Sequence, residues 1–335
     1  MELPALDTHT AITRLRSFGW LFSMQPSQVD AFLRSYVLFE GDWSQPNGKR
    51  ESHIVDYYRV INHLCALGNV EKMYFPPLLD ERVGVKGNQL LFERQMMEQI
   101  GARPGSRVLD LGCGRGRVAL HVAERTGAHV TGLNIEPSQL ENARGFARSR
   151  RLADRTTFVL GSLNDPLPFP DESFDGAYEI QAFTYARDKT AVFRELFRVL
   201  RPGSRFSYLD WVRLPGFDVS NPEHVEIMRG TAAVIGAVDT PSPEEVEVAM
   251  REVGFQVTHS GDPSIGGHQS PMIERERKYF SLIRRTVRVA VKSGLFPKHL
   301  VFLFERLKQG SAAFVQADQR GLATTSYQIV CRKPD

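Results

Sequence analysis

The sequence predicts an α/β fold in which a seven-stranded, mostly parallel sheet carries helices on both faces. Three observations support this prediction. From residue 105 onward short apolar runs alternate with amphipathic helical segments, hairpin signals between them are few, and a glycine-rich turn follows the first apolar run. Alternation of strands and helices is typical of parallel sheets. We expect a helical segment before this core and a helical lid insertion before its last strand.

The seven expected strands are short apolar runs bounded by polar or turn residues. In chain order they are RVLDL, HVTGLN, TTFVLG, FDGAYEIQ, RFSYLDWV, GFQVTHS and TSYQIVCRK. The helices between them have recognisable ends. In DTPSPEEVEVAMREVGF, Ser242 is the expected N-cap, Pro243 the first helical residue and Glu245 the capping-box partner, while Gly254 follows the end. The helix in VFRELFRVLRPGS is expected to stop at Pro202.

Outside this core, apolar residues at helical spacing occur in SQVDAFLRSYVLF and DYYRVINHLCALG. We expect a helical cap over residues 1–90, a core over 91–260, a lid or substrate wall over 261–323, and the last strand with a tail over 324–335. The insertion is basic and helical in ERERKYFSLIRRTVRVAVKSG, and insertions of this size commonly cover a site. Its mixture of apolar and basic positions has a second interpretation, which is contact with an anionic lipid surface.

Composition and charge exclude several classes of protein. Of 335 residues, 42% are hydrophobic and 24% are charged, and the formal net charge of +3 does not indicate a nucleic-acid partner. No apolar run approaches the roughly 20 residues of a membrane span, and the start of the chain lacks a signal-peptide pattern. Cys65, Cys113 and Cys331 are far apart without a CxxC pair, so neither a disulfide framework nor a metal site is expected. These features predict a cytoplasmic protein and leave peripheral contact with an internal membrane open.

The segment VLDLGCGRGRVAL places alternating glycines directly after a strand that contains an aspartate. Gly112, Gly114 and Gly116 do not match the dinucleotide fingerprint, whose third glycine would fall at Arg117, and no Gly-Lys-Ser/Thr follows for a phosphate loop. The pattern D-x-G-x-G-x-G instead lets the backbone approach a ligand closely while Asp110 faces a cation. S-adenosylmethionine fits, because it carries an ammonium, a sulfonium and a ribose diol but no phosphate.

Polar side chains follow the next two strands, where the rest of a nucleoside would lie. Asn134, with Glu136 close behind, stands where a ribose ligand is expected, and Ser162 and Asn164 stand where an adenine edge would lie. Taken singly, each is an ordinary cap, turn or loop residue. Together they occupy the carboxyl ends of successive strands, which is where such sheets bind ligands. The sequence therefore predicts a nucleoside site.

Longer segments resemble the class I S-adenosylmethionine-dependent methyltransferases, which have a Rossmann-like sheet. The resemblance lies in VLDLGCGRGRVALHVAERTGAHVTGLN, LPFPDESFDGAYEIQAF and ELFRVLRPGSRF. VDYYRVINHL, YLDWV followed by NPEH, and the closing CRKPD narrow it to the sterol 24-C-methyltransferase-like branch, from roughly residue 50 to the end. It implies S-adenosylmethionine as the methyl donor, held by Asp110, Gly112, Cys113, Gly114, Gly116, Asn134, Gln139, Ser162, Leu163 and Gln181.

Three positions depart from the pattern of the sterol enzymes. That pattern has an acidic residue where this chain has Gln181, a histidine where it has Tyr185, and commonly an aspartate where it has Ser162. Because a neutral amide cannot act as a carboxylate base, we expect another lipophilic acceptor, such as a polyketide, terpenoid or alkaloid. The alternatives are a true sterol 24-C-methyltransferase, and a cyclase that binds the cofactor without using its methyl group.

Methyl transfer from a sulfonium is an in-line displacement, to which the protein mainly contributes alignment and exclusion of water. An oxygen acceptor also needs a base, worth about 10²–10⁴-fold, whereas an alkene acceptor becomes a carbocation that aromatic faces stabilise. The candidate bases are Asp210, Tyr185, His224 and His268, and the candidate acceptor wall is Tyr57, Tyr58, Tyr74, Phe183 and Trp211. Glu179 is expected on the opposite face of the fourth strand from Tyr178 and Ile180. Which atom accepts the methyl group, and whether the chain forms a homo-oligomer, stays open.

Overall fold

The computed structural model describes residues 8–39, 47–67, 70–308 and 311–335, and within these ranges the side chains of 8–10, 47–50, 276–284, 304–308 and 311 lie outside the described set. Seven strands form one sheet: β1 Arg107–Leu111, β2 His129–Asn134, β3 Thr156–Leu160, β4 Phe174–Ile180, β5 Leu200–Arg213, β6 Gln256–Gly261 and β7 Ala323–Arg332. Their spatial order is β3-β2-β1-β4-β5-β7-β6. Strands β1 to β5 are parallel, and β7 runs antiparallel to both β5 and β6. The predicted seven-stranded, mostly parallel α/β fold is thereby confirmed.

Helices precede the sheet, connect its strands and fill the insertion before β7. They are α1 Thr8–Phe22, α2 Pro26–Ser35, α3 Asn47–Leu67, α4 Val85–Gln99, α5 Arg117–Thr126, α6 Pro137–Ser149, α7 Lys189–Val199, α8 Pro222–Ile235, α9 Pro243–Glu252, α10 Ser270–Lys292, α11 His299–Lys308 and α12 Ser311–Gln319. The helical N-terminal segment and the helical insertion between β6 and β7 are therefore present as predicted. None of the helices in the described part of the chain is long and apolar enough to span a bilayer.

The helix ends follow their sequence signals closely, with one difference. The capping box of α9 is present, because the Ser242 side chain accepts from the Glu245 amide while the Glu245 carboxylate accepts from the Ser242 amide. α7 ends at Val199, before the predicted stop at Pro202, and β5 begins at once. A proline disfavours the helical conformation at the residue before it, so Pro202 ends the helix before the proline itself is reached.

Two apolar layers pack on the two faces of the sheet. On one face Tyr178 packs with Leu120 and Phe146, and on the other Ala177 packs with Phe193, as the alternation along a strand requires. A third cluster joins the N-terminal helices to the insertion. It contains Leu21, Phe32, Ile54, Tyr57, Val287, Leu300 and Leu303, with Tyr58, Met73 and Tyr185 packed against it. This cluster brings α3 to the carboxyl end of the sheet, where the site lies.

Candidate active site

One cleft opens at the carboxyl ends of β1 to β4. From β1 the chain order runs through β2 to β3 on one side of the sheet and continues with β4 on the other side. Sheets of this kind bind ligands at such a switch point. Of the predicted cofactor residues, the cleft is lined by Asp110, Gly112, Cys113, Gly114, Asn134, Gln139, Ser162, Leu163 and Gln181. Its other walls include Ile54, Tyr58, Glu71, Lys72, Met73, Tyr74, Arg115, Arg117, Ile180, Ala182 and Tyr185. The structure therefore brings together residues that are far apart in the sequence.

The three glycines of the loop after β1 have different roles. All three have positive φ, at 81° for Gly112, 50° for Gly114 and 69° for Gly116. A Cβ on Gly112 would lie 2.3 Å from the Cβ of Ala182, and one on Gly116 would lie 2.7 Å from the Cβ of Ala143. A Cβ on Gly114 would meet nothing closer than 3.9 Å. Gly112 and Gly116 are thus required by packing, with Gly116 outside the cleft lining, whereas Gly114 faces open space in the cleft.

Asp110 is a buried carboxylate at the edge of the cleft. It is 4% exposed, and its Oδ2 accepts a hydrogen bond from the Tyr178 hydroxyl at 2.8 Å. Burial raises the pKa of Asp110 to about 7, and the hydrogen bond from Tyr178 partly offsets this effect. Within the described residues no lysine or arginine forms a salt bridge with it. A buried acid without a cationic partner fits a ligand that brings its own positive charge.

Three buried donors on the cleft wall have no hydrogen-bond partner among the residues that the structure describes. They are Nε of Arg115, Nη1 of Arg117 and Nε2 of Gln139. The guanidinium groups are held in place at their other nitrogens, because Arg115 donates to the Glu71 carbonyl at 3.0 Å and Arg117 pairs with the Glu71 carboxylate. Buried donors are nearly always satisfied in proteins. These three therefore indicate a ligand rich in acceptor oxygens, and Arg115 and Arg117 are site residues that sequence reasoning missed.

The wall after β3 contains a carboxylate that the strand pattern does not reveal. Glu51 of α3 accepts from the Ser162 hydroxyl at 2.8 Å and from the Asn164 amide at 3.1 Å, and Arg187 lies 3.5 Å from it. Glu51 thus places a carboxylate beside the serine that follows β3. Farther in, Asn134 donates to the Gln139 side chain at 2.8 Å, which orients both amides.

Gln181 joins two distant segments of the chain. It has φ of 54°. Its Oε1 accepts from the Phe75 amide at 3.1 Å, and its Nε2 donates to the carbonyls of Phe75 and Thr325 at 2.8 and 2.7 Å. The side chain thereby connects the segment before α4 to the start of β7. A carboxylate cannot make these two donations, so the observed contacts require an amide at position 181.

The two tyrosines on the cleft wall are hydrogen-bonded to each other. The hydroxyls of Tyr58 and Tyr185 are 2.9 Å apart, and the Tyr185 hydroxyl donates to the Gly236 carbonyl, so Tyr58 must be the donor within the pair. Burial raises the pKa of Tyr58 to about 12 and the pKa of Tyr185 well above its usual value. Burial therefore favours the protonated form of both phenols, and a role for Tyr185 as the base stays a prediction.

The other three candidate bases lie outside the cleft lining. Asp210 is 1% exposed and accepts from the backbone amides of Thr184 and Trp211 at 3.0 and 2.7 Å, so it holds the turn after β4. Burial raises the pKa of Asp210 to about 6. His224, in the first turn of α8, accepts a hydrogen bond from the Asp218 amide. His268 lies on the insertion, where its side chain is 47% exposed. None of the three is positioned to take a proton in the cleft.

The predicted acceptor wall is only partly present. Tyr58 and Tyr74 line the cleft. Tyr57 instead packs in the cluster between α3 and the insertion. Phe183 is fully buried with Phe193 in the core, and Trp211 is buried while its Nε1 donates to Thr240 at 3.0 Å. The prediction of these three as wall residues is wrong, because their rings fill apolar cores behind the cleft.

Glu93 is a buried carboxylate behind the wall that sequence reasoning also missed. It is fully buried and accepts from the Lys72 ammonium at 2.5 Å and from the Tyr74 hydroxyl at 2.7 Å. His121 Nδ1 lies 2.5 Å from the same carboxylate. Because Lys72 and Tyr74 face the cleft, Glu93 fixes the positions of two wall residues. No single segment carries a signal for this cluster, since α4, α5 and the preceding segment each contribute to it.

The glycine loop, the buried acid and the three unpartnered donors define the site of a class I S-adenosylmethionine-dependent enzyme, and comparisons with known proteins agree. The "Methyltransferase domain" family model matches residues 102–241. A sterol 24-C-methyltransferase of Yarrowia lipolytica is 31% identical over 72% of this chain and 69% of its own length. Methyltransferase phqN of Penicillium fellutanum is 31% identical over 74% and 72%. This chain belongs to the S-adenosylmethionine-dependent methyltransferases, in the sterol 24-C-methyltransferase-like branch.

Solved structures share this fold at lower sequence identity. The (4+2) cyclase SpnF superposes with a TM-score of 0.66 at 22% identity, covering 85% of this chain and 97% of its own. Geranyl diphosphate C-methyltransferase of Streptomyces coelicolor A3(2) superposes with a TM-score of 0.62 at 17% identity, covering 86% and 98%.

Proposed function

We propose that this methyltransferase acts on a lipophilic small molecule bound in the apolar half of the cleft. The observation that carries the proposal is that polar and apolar side chains line one cleft. Asp110, Arg117 and Asn134 lie on the same cleft as Ile54 and Met73. A polar end for the donor and an apolar end for the acceptor suit the transfer of a small group between them.

The polar end has the donors and acceptors that S-adenosylmethionine requires. Asp110 would hold the ammonium of the methionine end, and the unpartnered nitrogens of Arg115 and Arg117 would hold its carboxylate. Asn134 and Gln139, oriented by their mutual hydrogen bond, would meet the ribose hydroxyls. The carboxylate of Glu51 beside Ser162 would accept from the adenine amino group.

The apolar end would align the acceptor and exclude water. When bound, S-adenosylmethionine supplies a methyl group on a sulfonium, which is electrophilic without further activation. The aromatic faces of Tyr58, Tyr74 and Tyr185 and the side chains of Ile54 and Met73 provide a surface for an apolar molecule. Among the described residues of this wall, the phenols are protonated and the Glu71 carboxylate is paired with an arginine, which supports alignment rather than general-base catalysis.

Sterol 24-C-methylation is the second candidate function, favoured by the sequence identity to sterol enzymes. The hydrogen bonds of Gln181 weigh against it, because they occupy with a structural amide the position at which those enzymes have an acidic residue. A polyketide, terpenoid or alkaloid acceptor does not require an acid at this position. We therefore place these acceptors ahead of a sterol.

The test is transfer of a carbon-13 methyl group from labelled S-adenosylmethionine. The purified protein is incubated with a lipid-soluble extract of its source organism and, in parallel, with a sterol precursor, and the products are examined by NMR and mass spectrometry. Gly114→Val serves as the inactive control. Label in a non-sterol product supports the proposal, and label in the sterol precursor favours the second candidate. No label, with cofactor binding intact by calorimetry, contradicts both and favours the cyclase alternative.

A further inference from the structure

Helix α1 presents its apolar side chains to solvent. Ile12, Leu15, Phe18 and Phe22 follow one another at helical spacing and are 41%, 73%, 39% and 41% exposed. The opposite side of the helix buries the polar residues Thr13 and Ser17 together with Leu21. A surface helix of a globular protein normally has the reverse arrangement. This inversion indicates that the outer side of α1 meets an apolar partner.

The orientation of α1 is fixed by specific contacts. The Ser17 hydroxyl lies 3.0 Å from Nδ1 of His63 on α3, and the Trp20 ring stacks on the same imidazole at 4.2 Å. His299 Nε2 donates to the Leu21 carbonyl at 2.7 Å, which attaches the end of α1 to the start of α11. These contacts hold the polar side of α1 against α3 and α11, so its apolar side chains face solvent.

The insertion extends this exposed surface. The Phe296 ring, between α10 and α11, contacts Phe18 at 5.7 Å and Phe22 at 6.1 Å. Three further apolar side chains of the same part of the insertion are also exposed. We call the whole set the apolar face, which comprises Ile12, Leu15, Phe18, Phe22, Val289, Leu295 and Phe302, the last three being 61%, 70% and 60% exposed.

The two chain segments that carry the apolar face have charges of one sign. Between Glu276 and Glu305 the sequence has seven lysines or arginines and no aspartate or glutamate, and residues 8–29 also contain no acidic residue. Arg16, Arg285, Lys292 and Lys298 are exposed there. Because the whole chain has a formal net charge of only +3, this cationic excess is local. Apolar side chains with surrounding cations complement an anionic lipid surface.

We propose that the apolar face docks the protein on an anionic bilayer. A second copy of the chain is a poorer occupant, because a two-fold interface would bring the same cations of both copies together. The cluster beneath the face also reaches the cleft, since Ile54 belongs to the cluster and Tyr58 packs against it while both line the cleft. One apolar cluster would therefore contact both the docked face and the cleft in which we propose that the acceptor binds.

Vesicle co-sedimentation of the full chain tests this inference. The vesicles contain phosphatidylcholine alone, or phosphatidylcholine with roughly one third phosphatidylserine. We expect binding to the anionic vesicles only, and a fall in partitioning of about ten-fold or more for Leu15→Ser/Phe18→Ser and for Arg285→Glu/Lys292→Glu. The matched controls are Val219→Ser/Val248→Ser and Lys86→Glu/Arg103→Glu, which change exposed residues elsewhere and should partition like the parent.

Loss of the fold, binding to lipid and dimerisation give different results. Melting temperature and cofactor binding identify any variant that has lost its fold, and the second pair of substitutions then carries the test. Absence of binding by the parent chain, equal binding to both vesicle types, or equal losses in the control variants would overturn the proposal. So would a parent that is dimeric by ultracentrifugation and becomes monomeric on Leu15→Ser/Phe18→Ser without any vesicle binding.

Discussion

The hydroxyl of Tyr178 on β4 donates to the Asp110 carboxylate at the carboxyl end of β1, 2.8 Å away. The two residues are register partners in the sheet, so strand pairing itself sets their contact. Burial raises the pKa of this carboxylate to about 7, and the hydrogen bond limits the rise. Asp110 therefore changes its charge close to neutral pH in the protein without cofactor.

Cofactor affinity should depend on pH through this group. Above pH 7 the carboxylate is charged and can pair with the ammonium of S-adenosylmethionine, whereas below pH 7 it is protonated and affinity should fall by up to about ten-fold per pH unit. Tyr178→Phe removes the interaction that lowers the pKa, so the midpoint should move to higher pH. Calorimetric titrations between pH 5.5 and 7.5 measure both, and a flat profile in the parent would contradict the assignment.

Replacing the acid should weaken the same interaction directly. In Asp110→Asn the amide retains the shape but has no charge, and a charge-assisted contact is worth about 1.5–3 kcal/mol. We expect the cofactor dissociation constant to rise by about ten-fold or more, and its pH dependence to disappear. Unchanged affinity, measured by calorimetry on protein with a parent-like melting temperature, would remove Asp110 from the site.

Two glycines of the loop should respond differently to substitution. Gly114→Val places its side chain in open space in the cleft, so it should abolish cofactor binding, with a loss of stability limited to about 1–2 kcal/mol from the left-handed backbone. Gly112→Ala brings its Cβ against that of Ala182, so it should lower the melting temperature more. Calorimetry and thermal denaturation of both variants provide the comparison. Tight binding by Gly114→Val would show that the cofactor does not pass over this loop.

Gln181 should tolerate neither a charge nor loss of its amide. Gln181→Glu sets a carboxylate against the carbonyls of Phe75 and Thr325, while Gln181→Leu removes the hydrogen bonds without adding charge. We expect both to lower the melting temperature at pH 7, with the glutamate variant lower, because a partly buried carboxylate that faces two carbonyls and keeps only the Phe75 amide as a donor costs more than the lost hydrogen bonds. The difference should narrow as the pH falls and the carboxyl protonates. A glutamate variant as stable as the parent would show that these bonds do not hold the two segments together.

The paired tyrosines should affect the rate without affecting its pH dependence. Because both phenols stay protonated near neutral pH, Tyr58→Phe and Tyr185→Phe should lower kcat through weaker positioning of the acceptor, by roughly ten-fold at most. The pH–rate profile should keep its shape in each variant. Loss of a limb of the profile in either variant would identify that tyrosine as the base.

The strands and the glycine loop could be predicted from the sequence, because each is encoded by a short pattern of neighbouring residues. Apolar runs such as those of β1 and β2 bury both faces, and their ends mark the ligand edge of the sheet. The contacts of Glu51 with Ser162 and of Gln181 with Thr325 were not accessible, because they join residues more than a hundred positions apart. Such contacts depend on how the N-terminal helices and the insertion pack on the sheet.

The misplacement of Phe183 has a more local cause. Gln181 adopts a left-handed backbone conformation with φ of 54°, which is uncommon outside glycine and has no marker in YEIQAFTYA. The chain therefore turns after β4, and the aromatic ring that strand alternation alone would leave near the cleft enters the core. One residue with an unusual φ changes which side chains the site contains.

Strand β7 lies between β5 and β6 although it follows both in the chain, and this order has a consequence during synthesis. When β6 has left the ribosome, its neighbour β7 has not been synthesised, because the segment from Gly261 to Ala323 must be translated first. At about 5–20 residues per second this takes several seconds, during which both strands expose unpaired edges that can recruit foreign chains. The length of the insertion thus sets how long the edges of β5 and β6 wait for their partner during synthesis.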